Sequence, residues 1–106
     1  MVFVETSLFT KLLPGYLDDD EYRLLQVHLI EQPDAGAVIR GSGGVRKVRW
    51  RAGGKGKSGG VRVIYYWVTA EDQIFFLTLY AKGEQEDLSA QDLKRVVKLL
   101  KELKGD

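Results

Sequence analysis

The sequence has no cysteine, so it can form no disulfide, no thiol nucleophile and no thiolate metal site. It has a single histidine, His28, which cannot build a histidine metal site alone and sits in no metal or catalytic motif. No cofactor or metal is expected. No apolar run approaches the length of a membrane span, so no membrane contact is expected. The start, MVFVETSLF, lacks the basic residues and long apolar core of a signal peptide, which points to the cytoplasm. What remains is ordinary for a folded chain of 106 residues: 44% hydrophobic and 29% charged. Residues 1–106 read as one domain.

The other shortage is local. Residues 40–67 contain no acid, yet hold eight basic residues: Arg40, Arg46, Lys47, Arg49, Arg51, Lys55, Lys57 and Arg62. The overall charge of +1 conceals this, because seven acids lie in residues 1–39. The same basic stretch carries eight of the twelve glycines.

Hydrophobic periodicity orders the chain as β-α-α-β-β-β-α. Val2–Glu5 reads as a short strand. Thr6 or Ser7 caps a helix from Leu8, with Phe9, Leu12 and Leu13 on one side, stopped by Pro14-Gly15. Asp18 and Glu21 form a capping-type start to a second helix, whose Tyr22, Leu25, Leu29 and Ile30 stripe ends before Pro33. Val45–Arg51 alternates as a strand, placing Lys47, Arg49 and Arg51 on one face and Arg46, Val48 and Trp50 on the other. Residues 53–60 read as a mobile glycine-lysine loop. Val61–Val68 and Ile74–Tyr80 are strands, the latter so apolar that both faces should be covered. Ser89 and Asp92 open a last helix, with Leu93, Val96, Val97, Leu100 and Leu103 opposite lysines. The expected fold is α+β, with an antiparallel meander plus the N-terminal strand. Helices on one face would make it two-layered.

Two nucleotide motifs fail on context. Gly54-Lys55-Gly56-Lys57-Ser58-Gly59 fits G-x-G-x-x-G, but a strand follows where a helix is required. A P-loop would need glycine at Arg51. The basic strand face is stronger. Lys47, Arg49 and Arg51 recur about every 7 Å, and pairing can bring Arg62 beside them. Like charges so placed repel, whereas the phosphates of a nucleic acid would match them. Trp50, Tyr65, Tyr66 and Trp67 could stack on unpaired bases wherever they reach that face. Lysine, arginine and tyrosine suffice to cleave RNA, whose own 2′-hydroxyl is the nucleophile.

Val2-Phe3-Val4-Glu5, Asp20-Glu21-Tyr22-Arg23, Gly41–Gly44 leading into Arg46-Lys47-Val48-Arg49, the GKGK loop with Gly59–Tyr66, and Tyr80–Glu84 leading into Asp87-Leu88-Ser89 together resemble the HigB branch of the RelE toxin superfamily. The resemblance spans essentially the whole chain. It implies a ribosome-dependent endoribonuclease that cuts mRNA in the ribosomal A site, without a metal, and is neutralised by an antitoxin. That antitoxin would carry a helix-turn-helix DNA-binding domain, since this chain has no recognition helix and should not bind DNA alone. Carried over by position, the catalytic residues are Lys47, Arg49, Arg62 and Lys82. The two arginines would stabilise the phosphate; Lys47 or Lys82 would act as base or acid. Arg46, Arg51, Lys55 and Lys57 would hold ribosomal RNA or message. Two positions depart from the RelE pattern. Gly83 replaces an arginine, and Leu88 stands near a tyrosine position. Tyr66 and Tyr80 are the available substitutes. A non-catalytic RNA-binding module, or a phage-derived regulatory protein of the same fold, is the alternative.

Overall fold

The computed structural model describes residues 1–51 and 60–105. Strand β1 (Val2–Glu5) leads through Thr6 into helix α1 (Ser7–Leu12). The Thr6 side-chain oxygen accepts from Phe9 N–H at 3.0 Å, and its hydroxyl donates to Leu77 O at 2.8 Å. One residue therefore caps the helix and ties it to the sheet. A 3-10 turn over Leu13–Gly15 follows, with proline at a position that needs no N–H. Helix α2 (Asp19–Glu31) begins in a complete capping box: Asp18 accepts from Glu21 N–H at 2.7 Å and Glu21 accepts from Asp18 N–H at 2.9 Å.

Strands β2 (Ala37–Val38), β3 (Arg46–Trp50), β4 (Val61–Val68) and β5 (Gln73–Ala81) follow, then helix α3 (Ala90–Lys104), capped by Ser89. The sheet order is β1-β5-β4-β3-β2. Strands β2 to β5 pair antiparallel, as the meander requires, and β1 adds parallel to β5. The short β2 is an element that periodicity did not reveal. Gly60 joins β4 with φ +81°, and a Cβ there would lie 2.8 Å from Trp50 O, so only glycine closes this end of the β3–β4 ladder without strain.

The α+β class matches the sequence reading, as does the element order apart from the added β2, but the layering differs. Helices α1 and α2 pack on one face, where Phe9, Leu25 and Leu29 meet Val63, Tyr65 and Phe76. Helix α3 packs on the other, where Val96 and Leu100 meet Val45, Ile64, Phe75 and Leu77. The result is three layers. The reason is visible in β5, which is buried from Ile74 to Ala81 on both sides and needs a cover on each. Ring stacking adds to the first core, with Phe76 4.8 Å from Phe9 and 5.5 Å from Phe3.

One irregularity positions the site. Tyr65 pairs with Phe76, yet Ile64 pairs with Thr78, so Leu77 is an extra residue in β5. Beyond this bulge, Leu79 joins the α1–α2 core and Tyr80 faces the α3 side.

Candidate functional site

Three strands contribute one row. Arg49 of β3 pairs with Arg62 of β4, and Arg62 pairs with Tyr80 of β5. Directly paired residues share a face, so all three lie on the α3 side. Lys47, two residues before Arg49, shares it and pairs with Ile64. Arg49 is exposed, whereas Arg62 is 7% and Tyr80 5% exposed. The row thus has a buried floor and an open cationic rim.

The connection from β5 to α3 closes one side of it. Lys82 N–H donates to Gly60 O at 3.2 Å, which continues the ladder past Tyr80, and the Lys82 side chain is exposed. Glu84 holds the turn: its Oε1 accepts from Ala81 N–H at 3.1 Å and from Tyr16 OH at 2.6 Å. Burial first, then this bond and the glutamate charge, push the Tyr16 phenol up to about 12. Asp87 reaches back over the sheet and pairs with Lys47 Nζ at 3.1 Å. Its carboxyl lies below the usual range. The Leu88 N–H bond is the main cause and the Lys47 bond the next. Tyr80 is pushed up to about 12 by burial, with the Asp87 charge adding and Arg62 opposing. Its phenol therefore keeps its proton at neutral pH and can donate a hydrogen bond.

The structure gathers Lys47, Arg49, Arg62 and Tyr80, with Lys82 following at the end of β5. Arg51 is exposed just beyond β3. Two expected RNA contacts lie elsewhere. Arg46 is on the opposite face, where its guanidinium donates to Gly36 O at 2.7 Å and Asp34 O at 3.3 Å. Tyr66 packs within the α3 core, with Lys104 Nζ 5.0 Å from its ring centre. Trp50 and Trp67 pack against the α1–α2 core, and Tyr65 is fully buried there, so none of the three stacks from the basic face. Lys55, Lys57 and the rest of the expected mobile loop through Gly59 lie outside the described residues. Asp87 is the residue that charge scanning passed over. An acid inside a basic site gives no composition signal, and it lies 40 positions from Lys47.

The arrangement suits an anion with a reacting centre. Guanidinium and ammonium groups converge on one row, a protonated phenol stands beside them, and the backbone beneath is held by ladder pairing.

Comparisons with known proteins agree with this architecture. Residues 22–105 match the family model described as the RelE toxin of the RelE / RelB toxin-antitoxin system. A double arginine-to-alanine mutant of the E. coli toxin RelE in the free state superimposes with a TM-score of 0.60 at 19% identity, covering 89% of this chain and 95% of that one. A chain of the intact E. coli RelBE toxin-antitoxin complex gives 0.56 at 18% identity, covering 76% and 94%. With the family model matching residues 22–105, most of its length, and the fold shared with two RelE structures, the chain belongs to the RelE toxin family.

Proposed function

We propose that this protein is a ribosome-dependent endoribonuclease of the HigB-like branch, acting in the cytoplasm as a single domain over residues 1–106. The observation that carries this reading is the Arg49–Arg62–Tyr80 row with Lys47 on the same face. Stability alone gives no reason to set two arginines opposite each other, and a phosphate between them does. In the reaction, the message 2′-oxygen attacks the adjacent phosphorus in line. Its proton passes to a lysine amine, for which Lys82, following Tyr80 at the end of β5, is the candidate. The bond to the 5′-oxygen breaks, and that oxygen takes a proton from Lys47 or Tyr80. The products are a 2′,3′-cyclic phosphate and a 5′-hydroxyl. Arg49 and Arg62 stabilise the additional charge of the pentavalent phosphate. Arg51, Lys55 and Lys57 contact ribosomal RNA or message, and the partner is an antitoxin with its own helix-turn-helix domain.

Single-turnover cleavage tests the reading. Purified protein should cut mRNA on programmed ribosomes and leave the same naked RNA nearly intact, because the ribosome orients the message for in-line attack. Equal cutting of both removes the ribosome dependence. Tight RNA binding without cutting of either replaces the enzyme with a binding module.

A further inference from the structure

Asp87 belongs to no role assigned above, yet it organises the site. Its Oδ1 meets three donors: Leu88 N–H at 2.9 Å, Lys47 Nζ at 3.1 Å, and Tyr80 OH at 3.5 Å, the outer limit of a hydrogen bond. The Leu88 bond fixes the carboxylate on its own loop. Glu84 secures the same loop through Ala81 and Tyr16. The Lys47–Asp87 pair is solvent-facing, with side chains 30% and 65% exposed, so it contributes little to folding. A carboxylate beside a phosphate site also opposes RNA binding. Both costs call for a compensating use.

We propose that Asp87 is the positioning residue of this site: its carboxylate holds the Lys47 ammonium and the Tyr80 hydroxyl beside Arg62, so that both donors face one substrate phosphate. A lysine on its flexible four-carbon stem otherwise samples many directions, and each rotamer removed before the reaction need not be removed during it. The carboxylate is well suited, because the Leu88 and Lys47 bonds keep it ionised. Asp87 touches no RNA itself and acts through its two partners. The role rests on the RNA-cleavage reading above.

The test compares wild type, Asp87→Asn, Lys47→Ala and the double variant in single-turnover cleavage on programmed ribosomes. Asparagine keeps an acceptor for Leu88 N–H and is nearly isosteric, while it removes the charge and exchanges the second oxygen for an NH2 donor. Asp87→Asn should lower the saturating rate on the order of 10²-fold. The half-saturating ribosome concentration should stay the same or fall, since a repulsive charge has gone. In the Lys47→Ala background the same substitution should add less than about 3-fold, as coupled residues do. Asp87→Glu should recover part of the rate. Additive losses, a loss of affinity alone, or faster cleavage by Asp87→Asn would overturn the role. So would a fall in melting temperature that accounts for the lost activity and is not relieved by Asp87→Glu. If wild type does not cleave, the function reading fails and this role with it; if wild type cleaves and the two residues are uncoupled, the role alone fails.

Discussion

Arg49 and Arg62 stand directly opposite each other in the β3–β4 ladder, one exposed and the other 7% exposed, two cations held together by backbone pairing. Like charges so placed cost stability, by roughly 0.2–1 kcal/mol against a neutral pair. Arg49→Ala should therefore leave the melting temperature unchanged or slightly raised while cleavage falls on the order of 10²–10³-fold. Arg62→Ala should lower both, because its buried stem is packed. Thermal melts beside cleavage rates check this. A destabilised but active Arg49→Ala would remove the arginine pair from the mechanism.

Gly36 and Tyr65 brace the sheet beneath Lys47. Gly36 N–H donates to Tyr65 OH at 2.9 Å, and that hydroxyl donates to Pro33 O at 2.8 Å. A Cβ on Gly36 would lie 2.9 Å from the Lys47 carbonyl carbon, its oxygen and the Tyr65 ring. Tyr65→Phe should cost about 1–3 kcal/mol by stranding Gly36 N–H. Gly36→Ala should cost a similar amount through overpacking, about 1–3 kcal/mol, and should also reduce cleavage by displacing β3 at Lys47. Urea denaturation gives the first number. A Gly36→Ala protein as stable as wild type would refute the close approach.

Tyrosines set the alkaline limit. Tyr16 and Tyr80 rise from 10.0 to about 12, and Tyr22 and Tyr65 also rise, all first through burial. Each folded phenol holds its proton where the unfolded one releases it. The stabilisation is complete below pH 10 and is lost progressively as pH rises from 10 toward 12. Tyrosinate absorbance should lag a free-tyrosine curve and then rise together with loss of circular dichroism. An early rise in the folded protein would contradict it.

Asp87 works in the opposite sense. Its folded carboxyl titrates below the ordinary 3.8, so its contribution is present above that value and is lost as pH falls through the lower folded value. Carbon-detected NMR should give a midpoint below 3.8 in wild type, moving upward in Lys47→Ala. An unmoved midpoint would mean that the ion pair is absent in solution.

The antitoxin should be tightly bound and electrostatically steered, with association slowing as salt rises. Two surfaces compete for it. One is the Arg49–Arg62 row. The other is a hollow of about 480 Å³ along α3, lined by Leu93 and Val97 between Lys94, Lys98 and Lys101. If Lys98→Glu with Lys101→Glu releases the partner and the two arginine variants do not, neutralisation is remote from the row. The reverse result places the partner over the row itself.

Much of this was legible because local chemistry agreed with tertiary need. The Asp18–Glu21 box, the Ser89 cap and the alternation from Arg46 to Trp50 each have one sensible structural reading. The strand Ala37–Val38 is too short to show any period. The α3 stripe marks its buried side but not which side of the sheet receives it. Arg46 shows the limit of counting charge: alternation already placed it away from Lys47, and carbonyl oxygens of residues 34 and 36 occupy its donors. Asp87 could be found only once the chain was folded.

The extra residue in β5 works as a parity inverter. Before Leu77, even-numbered positions look toward Leu25 and Leu29; after it, odd-numbered ones do. Drawing Leu77 into regular register, with no residue removed, would send the phenol of Tyr80 into hydrocarbon and turn Leu79 toward Arg62, with no atom of the cationic row itself altered. Excising Leu77 would instead leave a regular ladder, with Tyr80 still opposite Arg62. A one-residue insertion after Thr78 should therefore abolish chemistry more completely than loss of any single cation, while deletion of Leu77 should leave the row facing as it does. Length in this strand is as much a part of the reactive apparatus as the side chains it carries.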